Sequence, residues 1–211
     1  MTITIEYPER LVEQGSEEWH AVRRGHVSAS NISAVMAKGK GITRRNYMMR
    51  IIAERNSSWQ GDAYTNPAME HGVNTEYLAR QAYEVSHGTF VDKTGFWKHP
   101  EIEWVGASPD GLVGEDGLIE IKCPNTTTHL EYIFDDVVPT EYYKQMQCQL
   151  WVTGRQWCDF ISYDPRVFLE KKKLFVKRCT RDENLIAEME VEVLAFLGEI
   201  AVMTNILSGE K

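Results

Sequence analysis

Apolar and polar residues alternate most cleanly at Leu118-Ile119-Glu120-Ile121-Lys122, a period of two that predicts a β-strand. Glu120 and Lys122 fall on one face, and Ile119, Ile121 and Cys123 on the other, where they can fill a core. Gly114-Glu115-Asp116-Gly117 just before it is a turn signal, and Val105-Gly106-Ala107 reads as a short strand running toward Ser108-Pro109-Asp110-Gly111. The midpoint between Asp110 and Glu120 lies inside that turn, so a hairpin closed there sets their side chains opposite each other.

Positions 66–88 predict a helix, with Asn66 as N-cap, Pro67 at the first helical position and Gly88 as the stop. On its wheel Glu76 falls among Met69, Val73, Ala79 and Tyr83, with Arg80 nearby. Earlier, a helix anchored by Trp19 carries Arg23, another begins at Asn31-Ile32, and Arg44, Arg45, Arg50 and Arg55 share a third. Later come strands around 89–98 and 104–122, a helix at 140–152, strands at 157–163 and 169–177, and a closing helix. That order predicts an α/β (α+β) fold with a mixed central sheet flanked by helices. The Asp110 hairpin is placed centrally, the Gln145 helix alongside it and the Glu76 helix at the same end. No repeat, low-complexity tract or linker interrupts the chain, and its 211 residues suit one domain, 1–211.

The spacing Asp110-x9-Glu120-x-Lys122 changes the picture from fold to chemistry. Mg²⁺ takes oxygen ligands and keeps several waters, so two carboxylates and a carbonyl leave positions open for phosphate oxygens and an attacking water. A lysine two residues along the same strand can hold that water, or deprotonate it if its own pKa is lowered. A surface hairpin of solvated charges fits the same spacing. Glu76, a carboxylate on an apolar face, needs a partner. Either Arg80 one turn along supplies it, or Glu76 is a third acid facing the metal site.

Charge is polarised. The chain carries a net −8, yet residues 20–60 hold eight Arg or Lys against Glu54 alone, while 182–211 hold seven acids against Lys211. The basic part is suited to tracking phosphates, and it and the acidic segment also read as solvated surfaces; Lys171-Lys172-Lys173, in a strand-like stretch, either follows DNA or protects an exposed edge. No apolar run approaches bilayer length, and Met1-Thr2-Ile3-Thr4 lacks a leader pattern, which predicts a cytoplasmic protein with no membrane partner. Cys123, Cys148, Cys158 and Cys179 are scattered without a C-x2-C pair, which predicts reduced structural thiols rather than a zinc ribbon or iron–sulfur cluster.

Taken in order, Glu13-Gln14-Gly15, Trp19 with Arg23, Ala29-Ser30, Gly72 with Glu76, Ser108 through Leu112 and Glu120 through Pro124 form a pattern. It continues through Gln145-x-Gln147, Trp151-Val152-Thr153 and Tyr163-Asp164-Pro165-Arg166. The pattern resembles the lambda-type phage alkaline exonucleases, a YqaJ-like viral recombinase branch of the PD-(D/E)XK nuclease superfamily. The resemblance implies that core fold, two Mg²⁺ ions replaceable by Mn²⁺, and 5′→3′ digestion of one strand of linear double-stranded DNA from 5′-phosphorylated ends. It implies Asp110, Glu120 and the Ile121 carbonyl as metal ligands, Glu76 assisting the second ion, Lys122 positioning the nucleophilic water and Gln145 lining the catalytic site. It assigns Arg23, Ser30 and Ser108 to the terminal phosphate. It further implies a homotrimer ring around DNA and a single-strand annealing protein as partner, for which the acidic C-terminal helix is a candidate surface.

Read from the residues alone, Arg23 also suits a solvated face, Ser30 an N-cap, and Gln145 an ordinary surface amide. A restriction or repair endonuclease on the same core, and a non-catalytic DNA-end binder, are the alternative functions.

Overall fold

The computed structural model describes residues 8–37, 41–59 and 67–209, with backbone only at 8 and 67–74. Asn66, Lys38, Lys40 and the first seven residues therefore lie outside the described residues, as do the side chains of Met69 and Val73. In chain order the elements are α1 (Glu17–Arg23), β1 (Val27–Ser28), α2 (Ile32–Val35), α3 (Ile42–Asn56), α4 (Pro67–His87), β2 (Trp97–Lys98) and β3 (Val105–Ala107). There follow β4 (Gly111–Val113), β5 (Gly117–Lys122), α5 (Thr126–Asp135), α6 (Thr140–Thr153), β6 (Trp157–Tyr163), β7 (Leu174–Thr180) and α7 (Glu183–Ser208).

Helices flank the strands as expected for an α+β fold, but the strands divide into two sheets. One has the order β1-β3-β2 and the other β4-β5-β6-β7. The break falls between β3 and β4, at Ser108-Pro109-Asp110, where Pro109 has no N–H to give a ladder. In the four-stranded sheet β4 and β5 are antiparallel, with Gly111 opposite Ile119. Continuing that register by one position puts Asp110 opposite Glu120.

β5 is a central strand buried on both faces, so its alternation separates two interiors rather than core from solvent. Ile119 and Ile121 pack with Ala79 and Tyr83 of α4, whereas Leu118 packs with Met146 and Leu150 of α6. Full burial of such side chains is worth about 1.5–3 kcal/mol each. β5 runs parallel to β6, which demands a crossover, and α5 and α6 provide it. The sequence reading missed α5. Its start is the β-branched run Thr126-Thr127-Thr128, and its signal is the cap Asn125, whose side chain accepts from Thr128 N–H.

α6 is wedged between the sheets. Met146 and Leu150 face the four-stranded sheet, while Cys148, Trp151 and Val152 join Val27, Val105 and residues of α2, α3 and α7. Residues 146–152 are all buried, so their amides are interior and must find partners. Gln147 donates to Thr180 O at 2.9 Å and accepts from Asp182 N–H at 2.8 Å, which ties α6 to the start of α7. α4 is fixed across the other face by Asp159, which accepts from Tyr83 Oη at 2.7 Å and from the Arg178 guanidinium on both oxygens.

Other expectations change. Residues 169–173 are not strand: Glu170–Lys172 form one 3-10 turn, and β7 begins at Leu174. Between 89 and 98 the pairing is limited to an Asp92–Leu112 bridge and β2. α7 is long and apolar enough, by length and composition, to cross a membrane, contrary to the expectation of no such run. Its Ile186, Met189, Val193, Phe196 and Ile200 are buried against the core. Much of the basic first third has internal partners. Arg24 donates to the carbonyls of Glu54, Ser57 and Trp59, Arg44 forks onto Glu199, Arg50 pairs with Glu54, and Arg55 donates to Gly25 O.

Candidate active site

The β4–β5 hairpin brings Asp110 and Glu120 to neighbouring positions, and the Ile121 N–H donates to Asp110 Oδ2 at 2.7 Å. Glu120 is 1% exposed. A carboxylate so deep must be paired and hydrogen-bonded, and three donors meet it. Lys122 Nζ and Gln145 Nε2 reach Oε1 at 2.5 and 2.6 Å, and Gln149 Nε2 reaches Oε2 at 2.6 Å. Gln145 is thus no ordinary surface amide, because α6 is covered on both sides. Lys122 also lies over the Tyr142 ring, 5.0 Å from its centre.

Of the two readings offered for Glu76, the structure shows the pairing with Arg80. Arg80 Nη2 donates to Glu76 Oε1 at 2.9 Å and also to the Asp110 carbonyl at 3.0 Å. The internal ion pair therefore exists, and it stands against the backbone of the Asp110 turn. The Glu76 side chain is 40% exposed rather than enclosed in an apolar face.

Burial, then the charges of Glu120 and Glu76, push the Asp110 carboxyl well above the usual carboxylate range, against the pull of Lys122 and the Ile121 N–H. Burial would depress Lys122, but the carboxylates of Glu120 and Asp110 more than offset it and hold its pKa above the ordinary lysine value. Lys122 is therefore a charged donor to Glu120. Lys122 offsets the burial and acidic neighbours of Asp110 only in part, and a hard cation with oxygen preference would supply the rest. Among the described residues no group of three or more His, Cys, Asp or Glu side chains converges as a metal cluster. Asp110, Glu120 and the Ile121 carbonyl are oxygen donors of the type that would suit a hard divalent cation retaining waters; a second ion involving Glu76 would require Glu76 to exchange its Arg80 contact.

Residues 18–156 match the family described as the YqaJ-like viral recombinase domain, two thirds of the chain. The chain belongs to the YqaJ-like viral recombinase family. The crystal structure of the alkaline exonuclease LHK-Exo from Laribacter hongkongensis is 47% identical, with a TM-score of 0.85 over 92% of this chain and 96% of that one. LHK-Exo in complex with dAMP superposes with a TM-score of 0.86 at the same identity, over 91% and 96%. A phage-related exonuclease from Haemophilus somnus 129PT, 15% identical, shares the fold with a TM-score of 0.69 over 90% of this chain and 98% of its own. An uncharacterized Acanthamoeba polyphaga mimivirus protein, R354, is 27% identical over 167 residues, 71% of this chain but 29% of that protein's length.

In this YqaJ-like chain the three residues expected at a terminal phosphate form one cluster. Arg23 Nη2 donates to Ser30 Oγ at 3.2 Å, and the guanidinium lies over the Trp19 ring at 4.2 Å. Trp19 Nε1 donates to Ser108 Oγ at 3.0 Å. Ser30 is not an N-cap, because Ala29–Asn31 form a 3-10 turn and Asn31 is the cap position of α2. Ser28 and Asn31 also contact the Ser30 hydroxyl, at 3.2 and 3.3 Å.

Sequence reasoning did not assign Gln14 or Gln149 a place here. Gln14 Nε2 donates to Thr94 O at 2.9 Å and Pro109 O at 2.7 Å, pinning the loop that carries Asp110. Gln149 stands one helical turn from Gln145, and that i,i+4 spacing of two amides was its signal. Burial pushes Cys148 up to about 12, and Cys158 and Cys179 face each other across β6 and β7 as free thiols.

Proposed function

We propose that this chain is a metal-dependent 5′→3′ exonuclease that digests one strand of linear duplex DNA from 5′-phosphorylated ends. Its product would be a 3′ single-stranded overhang for recombination by strand annealing. The observation that carries this reading is that Ser108, part of the Arg23–Ser30 cluster through Trp19, lies two residues before Asp110. End-binding and cutting groups then share one loop, so the gap between the terminal phosphate and the cut is set by the backbone. That a 47% identical exonuclease has been crystallised with dAMP agrees with a site that takes a nucleotide.

Arg23 offers a planar fork to phosphate oxygens and Ser30 and Ser108 add neutral donors, which suits a terminal phosphate dianion. Asp110, Glu120 and the Ile121 carbonyl would hold the cation, Mg²⁺ or Mn²⁺, which would supply charge withdrawal from the scissile phosphate and an acidified water. Lys122, two residues along the strand from Glu120, would position the attacking water. Gln145, partly open to solvent, can turn from Glu120 to a substrate oxygen. Glu76 enters the site when its Arg80 contact is exchanged, which is the provision for a second ion. A ring of three copies around DNA and an annealing protein as partner rest on the family resemblance.

The test is incubation of 5′-phosphorylated duplex, 5′-hydroxyl duplex, single strand and closed circle with Mg²⁺. The phosphorylated linear duplex should be digested fastest and the circle left intact. Cutting of the circle would identify an endonuclease, and digestion of none would leave only an end-binding protein.

A further inference from the structure

Gln145 and Gln149 leave α6 on the same side and grip different oxygens of Glu120. Their surroundings differ in a way that separates their roles. Gln145 is half-buried, with water as an alternative partner, whereas Gln149 is fully buried at 0% exposure. The other side-chain contact of the Gln149 amide is the Cys158 thiol, 4.0 Å from its Oε1. Flipping this amide would set its carbonyl against the Glu120 carboxylate and its NH₂ against the thiol, so its orientation is fixed. Oε1 of Glu120 already takes two donors and Oε2 only this one, which leaves acceptor capacity on the oxygen that Gln149 holds.

We propose that Gln149 is a positioning residue that fixes the plane of the Glu120 carboxylate for divalent-cation binding, while Gln145 is the exchangeable donor of the pair. This rests on the metal-dependent reading above. Gln149 acts only through Glu120, since burial keeps it from substrate. Without it, Oε2 is a buried acceptor with no partner and the carboxylate plane is free to rotate, which weakens its hold on a cation.

The test is Gln149→Met, which keeps length and bulk but cannot donate. Calorimetric Mn²⁺ affinity should fall roughly ten- to hundredfold, the size of a lost hydrogen bond to a charged group. kcat on phosphorylated duplex should fall in step, with KM for DNA unchanged. Unchanged Mn²⁺ affinity and kcat in a folded Gln149→Met protein would overturn the proposal. Stability of the metal-free protein gives a second, independent reading. Gln149→Met should lower Tm in the native background but not in a Glu120→Leu background, because the group it serves is then gone. If Gln149→Met does not fold alone, recovery of folding in the Glu120→Leu double variant supports the proposal, and failure to recover assigns the loss to packing and overturns it. Absence of Mn²⁺ binding by the wild-type protein would overturn the metal reading itself, and the stability coupling would still report whether Gln149 serves Glu120.

Discussion

Trp19 donates its indole N–H to Ser108 Oγ at 3.0 Å while its ring lies under the Arg23 guanidinium. One side chain thus spans α1 and the loop between the two sheets, and holds both a cation and a hydroxyl expected at a DNA end. Arg23 is constrained further by Ser30. The arginine is a preorganised fork on an aromatic platform, not a freely solvated chain.

Arg23→Ala should therefore slow digestion of 5′-phosphorylated duplex by roughly ten- to hundredfold, the value of a charge-assisted contact of about 1.5–3 kcal/mol. The 5′-hydroxyl duplex never used that contact, so the two rates should converge. Parallel rate measurements on both ends decide the matter. Equal losses on the two substrates, with a shallower salt dependence, would return Arg23 to general DNA tracking.

Asp110→Asn should abolish digestion, by at least about a hundredfold, without loss of fold. The Asp110 pKa is raised in the folded protein by burial and by Glu120 and Glu76. The folded state therefore binds that proton more tightly than the unfolded one, and stability falls as pH rises from the unfolded value through the raised one. The asparagine removes this penalty. Metal-free Asp110→Asn should show a Tm at neutral pH equal to or above that of wild type, and a clear drop would mean that the carboxylate is structural.

Lys122→Met should also inactivate, but with the cation still held. Lys122 places a positive charge on Glu120 Oε1 at 2.5 Å, so its removal frees a ligand and lessens repulsion of a cation. Calorimetry should give Mn²⁺ affinity equal to or tighter than wild type, alongside a kcat lowered by about a hundredfold or more. Weakened Mn²⁺ binding would show that Lys122 mainly holds Glu120 in place.

How much of this could be read in the sequence depends on whether a local rule governed the residue. The Asp110–Glu120 juxtaposition was legible because a Gly-bounded turn fixes a hairpin register, and register fixes who faces whom. β6 was legible for the same reason: Trp157–Tyr163 is a short apolar run between turn residues. Gln145 and Gln149 were not. Helical periodicity put them opposite Met146 and Leu150 and hence in solvent, but the neighbour covering that face comes from another part of the chain. Nor did periodicity reveal the split between sheets, which turns on how far β3 can pair before Pro109 removes a donor. In the basic third too the pairing lay beyond local rules, since Arg24, Arg44, Arg50 and Arg55 meet partners up to 155 positions away.

Asp164 offers a prediction about stability close to the site. It is fully buried, accepts from Thr126 Oγ1 at 2.5 Å and from Arg166 Nε at 2.7 Å, and Arg166 in turn donates to Pro124 O. The end of β6, the start of α5 and the turn two residues past Lys122 are thereby fastened together. Burial alone would raise the carboxyl, but the hydrogen bonds from Arg166 and Thr126 outweigh it and bring its pKa to about 2. A folded pKa below the unfolded value of about 3.9 gives stability that is present above the unfolded value and lost as pH falls through the folded one, in all about 2.5 kcal/mol. Asp164→Asn, which keeps the shape but not the charge, should cost about that much in urea unfolding near neutral pH. The wild-type advantage should then shrink as the pH drops from about 4 toward about 2. A difference that stays constant across that window would mean that packing, not the ionised carboxylate, fastens this corner.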